Sequence, residues 1–335
     1  MSEGRNTAIA VWWKSLLVGL CLAAGCSDQR SAVDLYMDAV ALRELGQDQF
    51  AIEKLNAAVA ADPDFTMAYS ELGKVHRALG NHERALAAFR QAAKLDPWSL
   101  ETHLELARTS EKLGQYAQAG AAYARAAELD PDNPEVLMGA AECYLKAGQL
   151  VRAQTYGERA EQMGEKPQEV LPLLARIYQG QADYGRAIQT YGRLLSLAGN
   201  DPNVLLPLGV AYMEAEQYDR AREVLVSVTQ MRPTDSAAFR HLGYCSAKLG
   251  DTDRAIQMYQ RAIDFDDRDW EAHRGLGVAY MLKAGQTGDV RWKVAAVRHW
   301  RQSLAIEPDQ PKRQTLEKLI REHSRPQDSL RGSSY

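Results

Sequence analysis

The sequence predicts an all-α solenoid, a pile of antiparallel helix hairpins, and three observations carry that prediction. The 335-residue chain repeats itself every 34 residues, with alanine at 51, 85, 119, 153, 187, 221 and 255. Within each period the apolar residues recur at steps of three and four, the spacing of one helix face. Most periods are also punctuated twice, by a glycine near the middle and by Asp-Pro or a similar breaker near the end. A unit of this size cannot bury its apolar face alone, so neighbours must stack. The product is an extended binding surface in place of an enclosed catalytic pocket.

Eight units begin at residues 32, 66, 100, 134, 168, 202, 236 and 270 and run to 308. Position 7 of the unit is mostly leucine (Leu72, Leu106, Leu174, Leu208, Leu242, Leu276). Position 8 is never larger than alanine (Ala39, Gly73, Ala107, Ala141, Ala175, Gly209, Gly243, Gly277). Positions 4, 7, 8 and 11 share a face, which makes the first helix. Gly46, Gly80, Gly114, Gly148 and Gly250 stand at position 15, where that helix must end and the chain turn. The second helix carries the recurrent alanine at position 20 and a large residue at position 24: Leu55, Phe89, Tyr123, Tyr191, Leu225, Tyr259. Small residues at 8 and 20 let the two axes approach, and the large ones fill the space beside them. Asp-Pro at 62–63, 96–97 and 130–131 stops the second helix.

Two units depart. The fourth has Gly157 at position 24 and Glu165 in place of proline, which predicts looser packing of its second helix. The eighth carries extra residues around Ala284–Lys293, read as a long loop holding Trp292, either a tolerated insertion or a contact element. A stack needs a terminal cap. Residues 309–323 supply one, with Leu316, Leu319 and Ile320 as the apolar stripe. The remainder, 324–335, is polar and aperiodic and is expected to be disordered.

Tyr69-x-x-Leu72-Gly73 with Ala85, Phe89 and Pro97 resembles the tetratricopeptide repeat family, and the resemblance spans 32–308. It implies a right-handed superhelical solenoid of eight helix-turn-helix repeats. It also implies that the first helices line a concave groove, with positions 2, 5, 9, 12 and 13 facing a polypeptide ligand. Those positions supply the cations Lys74, Arg77, Arg108, Lys112 and Arg176, and an apolar strip of Leu104, Met138, Leu145, Leu206, Met213 and Tyr244. The expected ligand is a protein or peptide segment with acidic and apolar residues. The family's Lys/Asn carboxylate clamp is not implied, since no Asn stands at position 5, 9 or 12.

Residues 1–25 lie outside the repeats. Arg5 and Lys14 precede an apolar run, Ser15–Gly25, too short for a membrane span. The run ends Leu22-Ala23-Ala24-Gly25-Cys26, which resembles a bacterial lipoprotein signal with Cys26 as the lipidated residue and 26–31 as a short tether. Ala23 stands where that signal commonly has leucine. An uncleaved anchor over 8–24 and a cleaved soluble form are the alternatives; all three export the repeats. The lipoprotein resemblance, with Ser27 after the cysteine, implies an outer-membrane protein facing the periplasm of a Gram-negative cell.

Cys143 and Cys245 both occupy position 10, a small apolar slot, three repeats apart. Stacked helices lie ~8–10 Å apart, beyond disulfide reach, so both read as core thiols. The formal net charge of −4 gives no basic surface for nucleic acid. No motif for a metal, cofactor or catalytic nucleophile is present, and no residues are left for a catalytic domain. His241 and Cys245, four apart, and His103 and His273, both at position 4, read as packing residues. The expected function is a non-enzymatic envelope scaffold, with a periplasmic chaperone or carrier for an export, pilus or polysaccharide pathway as the alternative; oligomeric state is left open.

Overall fold

The computed structural model describes residues 31–324, which form seventeen α-helices and, among the described residues, no strand. They split at Pro131/Asp132 into two compact units. The first holds three hairpins: α1 (Ala32–Glu44) with α2 (Asp48–Ala61), α3 (Thr66–Ala78) with α4 (His82–Leu95), and α5 (Leu100–Lys112) with α6 (Tyr116–Leu129). The second begins with α7 (Pro134–Lys146), α8 (Leu150–Met163), α9 (Pro167–Gly180), α10 (Tyr184–Ala198), α11 (Pro202–Glu214) and α12 (Tyr218–Met231). It ends with α13 (Ser236–Lys248), α14 (Thr252–Phe265), α15 (Trp270–Thr287), α16 (Val290–Ile306) and α17 (Arg313–Ser324). In each unit every odd-numbered helix packs on the even one after it, and that one on the next odd helix. The fold class is therefore the one expected, an all-α solenoid of consecutive helix pairs.

Local chemistry sets the boundaries. Side chains of Ser31, Ser99, Asn133, Asp201, Asp235 and Asp269 cap the first helices by accepting from backbone N–H groups of the first turn. The turn inside each hairpin is left-handed, at Gly46, Gly80, Gly114, Gly148 and Gly250 with φ of 69–81°. Gly46 and Gln47 then donate back to Arg43 and Leu42 carbonyls, each at 2.9 Å, which satisfies the helix end. Ala182 and Glu216 make the same turn at φ 58° without a glycine.

The core is built from the recurrent pattern. The seven periodic alanines, together with Ala296, are all fully buried at 0% exposure. Opposite them a side chain from the second helix lies on the bare backbone of the first. A Cβ on Gly73 would stand 2.6 Å from Phe89, and one on Gly209 2.8 Å from Leu225. Gly157 breaks the pattern without leaving a gap: a Cβ there would meet Leu174 Cδ2 of the following repeat at 2.9 Å. The looser packing expected of the fourth repeat is thus offset by a side chain from its neighbour.

The extra residues of the eighth repeat do not form a loop. They lengthen both helices, to 18 residues in α15 and 17 in α16, with only Gly288 and Asp289 between them. Trp292 belongs to α16 and stacks on Tyr280 at 5.3 Å. The cap is α17: Leu316 is buried, and Leu319 and Ile320 pack against the same cluster as Trp300 and Tyr259. The connection before it is pinned by Ser303, whose Oγ donates to the Trp270 carbonyl at 2.8 Å and accepts from Gln310 at 2.9 Å. Ser324 closes α17, and the tail 325–335 lies outside the described residues, as do the signal segment, Cys26 and the rest of the tether up to residue 30. No described helix is long and apolar enough to cross a membrane.

Candidate functional site: an apolar groove rimmed by cations

In the first unit the cations singled out by sequence are placed among carboxylates. Glu71 and Glu105 are buried at position 6 of successive first helices. Arg43 pairs with Glu71, Lys74 bridges Glu71 at 4.0 Å and Glu101 at 2.6 Å, and Arg77 and Arg108 flank Glu105 at 3.0 and 3.4 Å. The Arg77 contact is an ion pair without hydrogen-bond alignment, since Glu105 Oε2 has no hydrogen-bond partner. The charge of Lys74, Arg77 and Arg108 is therefore partly neutralised inside the chain. Lys112 on α5 and Leu104 sit on the same unit, exposed and half-buried respectively.

In the second unit the apolar strip divides. Met138 and Leu145 on α7 are half-buried, Arg176 on α9 is exposed, and Leu206 packs into the core clusters around Leu242 and Val228. Met213 and Tyr244 instead open onto a groove of about 630 Å³ between α11, α13 and α15. Its walls carry Tyr244, Val278 and Leu282, which are 39%, 46% and 44% exposed. Trp300, Tyr259 and Gly275 lie beneath, and Leu316 and Leu319 of α17 close one end. The wall residues stand at positions 5, 9, 12 and 13 of the last three repeats, one stripe at helical spacing.

The rim is electropositive. Arg240 is held by Asp269 at 2.7 Å and Glu271 at 3.2 Å. Arg274 is held without a carboxylate: its guanidinium lies 4.7 Å over the Trp270 ring and donates to the Pro311 carbonyl at 3.3 Å. Lys248 Nζ stands 5.6 Å from the rings of both Tyr218 and Tyr244, which are themselves in edge contact. Lys312 holds a left-handed φ of 66° at the groove's end. Among the described residues no carboxylate lies within 4.0 Å of the charged nitrogens of Arg274, Lys248 or Lys312. Burial, and then Arg240, push the pKa of His241 down to about 4, so this wall residue is neutral at pH 7.

Sequence reasoning reached Met213 and Tyr244 but passed over Val278, Leu282, Arg274 and the contribution of α17. Position 13, where Lys248 and Leu282 stand, held the missing signal. That the cap would also wall the groove had none, because its role depends on where α17 lands.

Four family profiles described as tetratricopeptide repeat match residues 67–97, 111–177, 171–205, 206–269 and 247–287. The chain is a tetratricopeptide repeat protein. No curated protein matches it. Among solved structures, the C-terminal part of a tetratricopeptide repeat protein from Cytophaga hutchinsonii is 18% identical, covering 73% of this chain and 98% of that one with a TM-score of 0.54. The APC/C hetero-tetramer Cut9–Hcn1 is 16% identical with a TM-score of 0.51; 87% of this chain aligns with 55% of that one. At these identities the likeness speaks for the tetratricopeptide fold alone.

Of the histidines and cysteines that sequence set aside as packing residues, His103, His273, Cys143 and Cys245 are so placed, whereas His241 lines the groove wall. His103 and His273 are buried, each bonded by Nε2 at 3.1 Å to the carbonyl six residues earlier. Cys143 and Cys245 are both buried, and burial pushes Cys245 up to about 12. No group of three metal-ligating side chains occurs among the described residues of this tetratricopeptide protein.

Proposed function

We propose that the chain is a non-enzymatic scaffold that holds an acidic, apolar polypeptide segment in the groove of its second unit. The observation that carries this reading is the juxtaposition of Tyr244, Val278 and Leu282, solvent-exposed apolar residues in a concave site, with the carboxylate-free cations Arg274, Lys248 and Lys312. Tetratricopeptide repeats are protein-interaction modules, which supports the class of ligand. An apolar strip selects a segment with large side chains at helical or alternating spacing, and the rim selects carboxylates beside them. Lys112, with the other cations of the first unit, forms a second and more weakly charged candidate surface, and Arg176 is a separate exposed cation on α9 of the second unit.

The same proposal anchors the protein through Cys26 in the outer membrane, facing the periplasm. The run Leu22-Ala23-Ala24-Gly25-Cys26-Ser27 supports it, and stable attachment needs more than one acyl chain. Cys26→Ala should release the protein from the membrane fraction. A variant that stays membrane-bound would remove the lipid anchor from the account.

The groove is tested by a photo-reactive amino acid at Val278 in intact cells. It should give a discrete cross-linked partner, whereas the same probe at Val151, exposed on α8 and outside the groove, should not. Arg274→Glu should lower the yield about tenfold or more with little change in thermal melting. Equal adducts at both positions, or none at Val278, would overturn the reading.

A further inference from the structure

The first hairpin of the first unit and the last two helices of the second carry opposite charge and exposed apolar side chains. Residues 32–61, the first hairpin, hold five carboxylates (Asp34, Asp38, Glu44, Asp48, Glu53) against two cations, a net of −3. Both cations are engaged, Arg43 by Glu71 and Lys54 by Asp38 at 3.7 Å. Residues 290–324, α16 and α17, hold eight cations against four carboxylates, a net of +4 in a chain whose total is −4. Along α16 itself no acidic residue occurs; Arg291 pairs with the capping Asp289 at 2.8 Å, while Lys293, Arg298 and Arg301 have no carboxylate within 4.0 Å among the described residues.

Each end also lacks a neighbour that the repeats inside the stack possess. Successive second helices touch through position 25 of one and position 19 of the next. Arg90 donates to Gln118, and Glu158 meets Arg186 at 3.7 Å. Phe50 is the position-19 residue of the first repeat and has no predecessor among the described residues; it is more than half exposed. Val33 and Met37, four apart on α1, are exposed to the same degree. At the other end, Arg301 holds the position-25 register. No second helix follows α16 among the described residues, and Arg301 donates to Ser324 at 3.0 Å. Val290 and Val294, again four apart, are more than half exposed beside it, and a shallow groove of about 650 Å³ runs between α16 and α17. The cap covers Leu316's side of the core and leaves this outer face open.

We infer that copies of the chain associate head to tail, the acidic, apolar first hairpin of one seated on the basic, apolar face of α16 and α17 of another. A second copy is the occupant because it brings both complements the basic face asks for, carboxylates and exposed Val, Met and Phe side chains. Self-pairing of either end would oppose like charges. An interface of this kind is heterologous, so blocking one end of a copy stops growth there while leaving its other end competent. The inference does not rest on the groove or on the lipid anchor.

The test is a charge swap read by sedimentation velocity of the full chain. The wild type should associate with rising concentration at about 50 mM salt and dissociate at about 500 mM, where screening is complete within a few ångströms. Arg298→Glu with Arg301→Glu should lose association about tenfold or more, and so should Glu44→Lys with Glu53→Lys. All four are exposed, so circular dichroism should match the wild type. Their reversal should also leave capture at Val278 unchanged. In the mixture of the two variants the reversed ends match each other, and association should return. A wild type that stays monomeric at low salt would overturn the inference. So would variants that associate as before, or a mixture that remains monomeric.

Discussion

Gly277 offers the sharpest test of how the hairpins close. A Cβ built on it would overlap Cδ1 and Nε1 of Trp300 and stand 3.0 Å from Cε2. Trp300 is 2% exposed and its indole cannot swing away without displacing the core around Tyr259 and Leu316. Replacing glycine by alanine inside a helix normally gains ~0.8–1.0 kcal/mol. Overpacking a filled core costs ~1–3 kcal/mol. At Gly277 the second effect wins, and Gly277→Ala should destabilise the second unit by about 1 kcal/mol, up to about 2. Gly192, on α10 of the same unit, has nothing within 4 Å of its Cβ position. There only the propensity acts, and Gly192→Ala should stabilise by roughly 0.8 kcal/mol. Trp300→Tyr in the Gly277→Ala background recreates the Ala–Tyr pairing of Ala107 with Tyr123 and Ala175 with Tyr191. It also removes a buried indole N–H that has no partner. The two changes together should cost at least about 1 kcal/mol less than the sum of the separate costs. Urea unfolding followed by circular dichroism, with tryptophan fluorescence in a Trp98→Phe background to weight the signal toward Trp270, Trp292 and Trp300 of the last repeat, measures all of these. A Gly277→Ala protein as stable as the wild type would refute the close-approach argument.

Three further expectations follow from the same geometry. Glu216 makes a left-handed turn at φ 58° that glycine makes elsewhere, so Glu216→Gly should raise stability by about 1 kcal/mol in urea unfolding. His241 and His299 are both held down to about 4 from 6.5, by burial first, then by Arg240 and by His273 and Arg298 respectively. Their neutral forms are favoured in the fold, so stability is full above pH 6.5 and falls as pH drops from there toward 4, where the unfolded chain binds the extra protons. His299→Gln, which also breaks the 3.0 Å bond to His273, should lower the melting temperature at pH 7 and flatten its decline between pH 6.5 and 4. The Cys143 and Cys245 thiols should react with a disulfide reagent only as fast as the second unit opens, because both are buried and Cys245 is held up at about 12.

The fold class was legible because each of its physical requirements repeats. A glycine at position 15 marks a left-handed turn and an alanine at position 20 marks a close helix contact, and five copies of the first with seven of the second leave little freedom of interpretation. What was not legible depended on contacts between repeats. Gly157 reads as a defect in its own repeat, and only the placement of Leu174 shows the space filled. The residues around Ala284–Lys293 read as a loop because they break the period, yet before Gly288 they contain no proline and a single glycine, Gly285, at a cost of about 1 kcal/mol, so two longer helices cost less than an irregular excursion. At the site, position 9 and position 12 pointed to Tyr244 and Met213. The pairing of Lys74, Arg77 and Arg108 with Glu71, Glu101 and Glu105 was hidden because the carboxylates come from position 6 and from the neighbouring repeat. Arg274, at position 5, was hidden because its importance comes from the cap, where it donates to the Pro311 carbonyl at the groove's end.

The most direct measurement compares two charge reversals for binding of the partner cross-linked at Val278. Arg274→Glu with Lys248→Glu should weaken its dissociation constant about tenfold or more, while Lys74→Glu with Arg108→Glu, whose cations already face Glu71, Glu101 and Glu105, should change it less than about threefold. The opposite ranking would contradict the account and move the binding surface to the first unit.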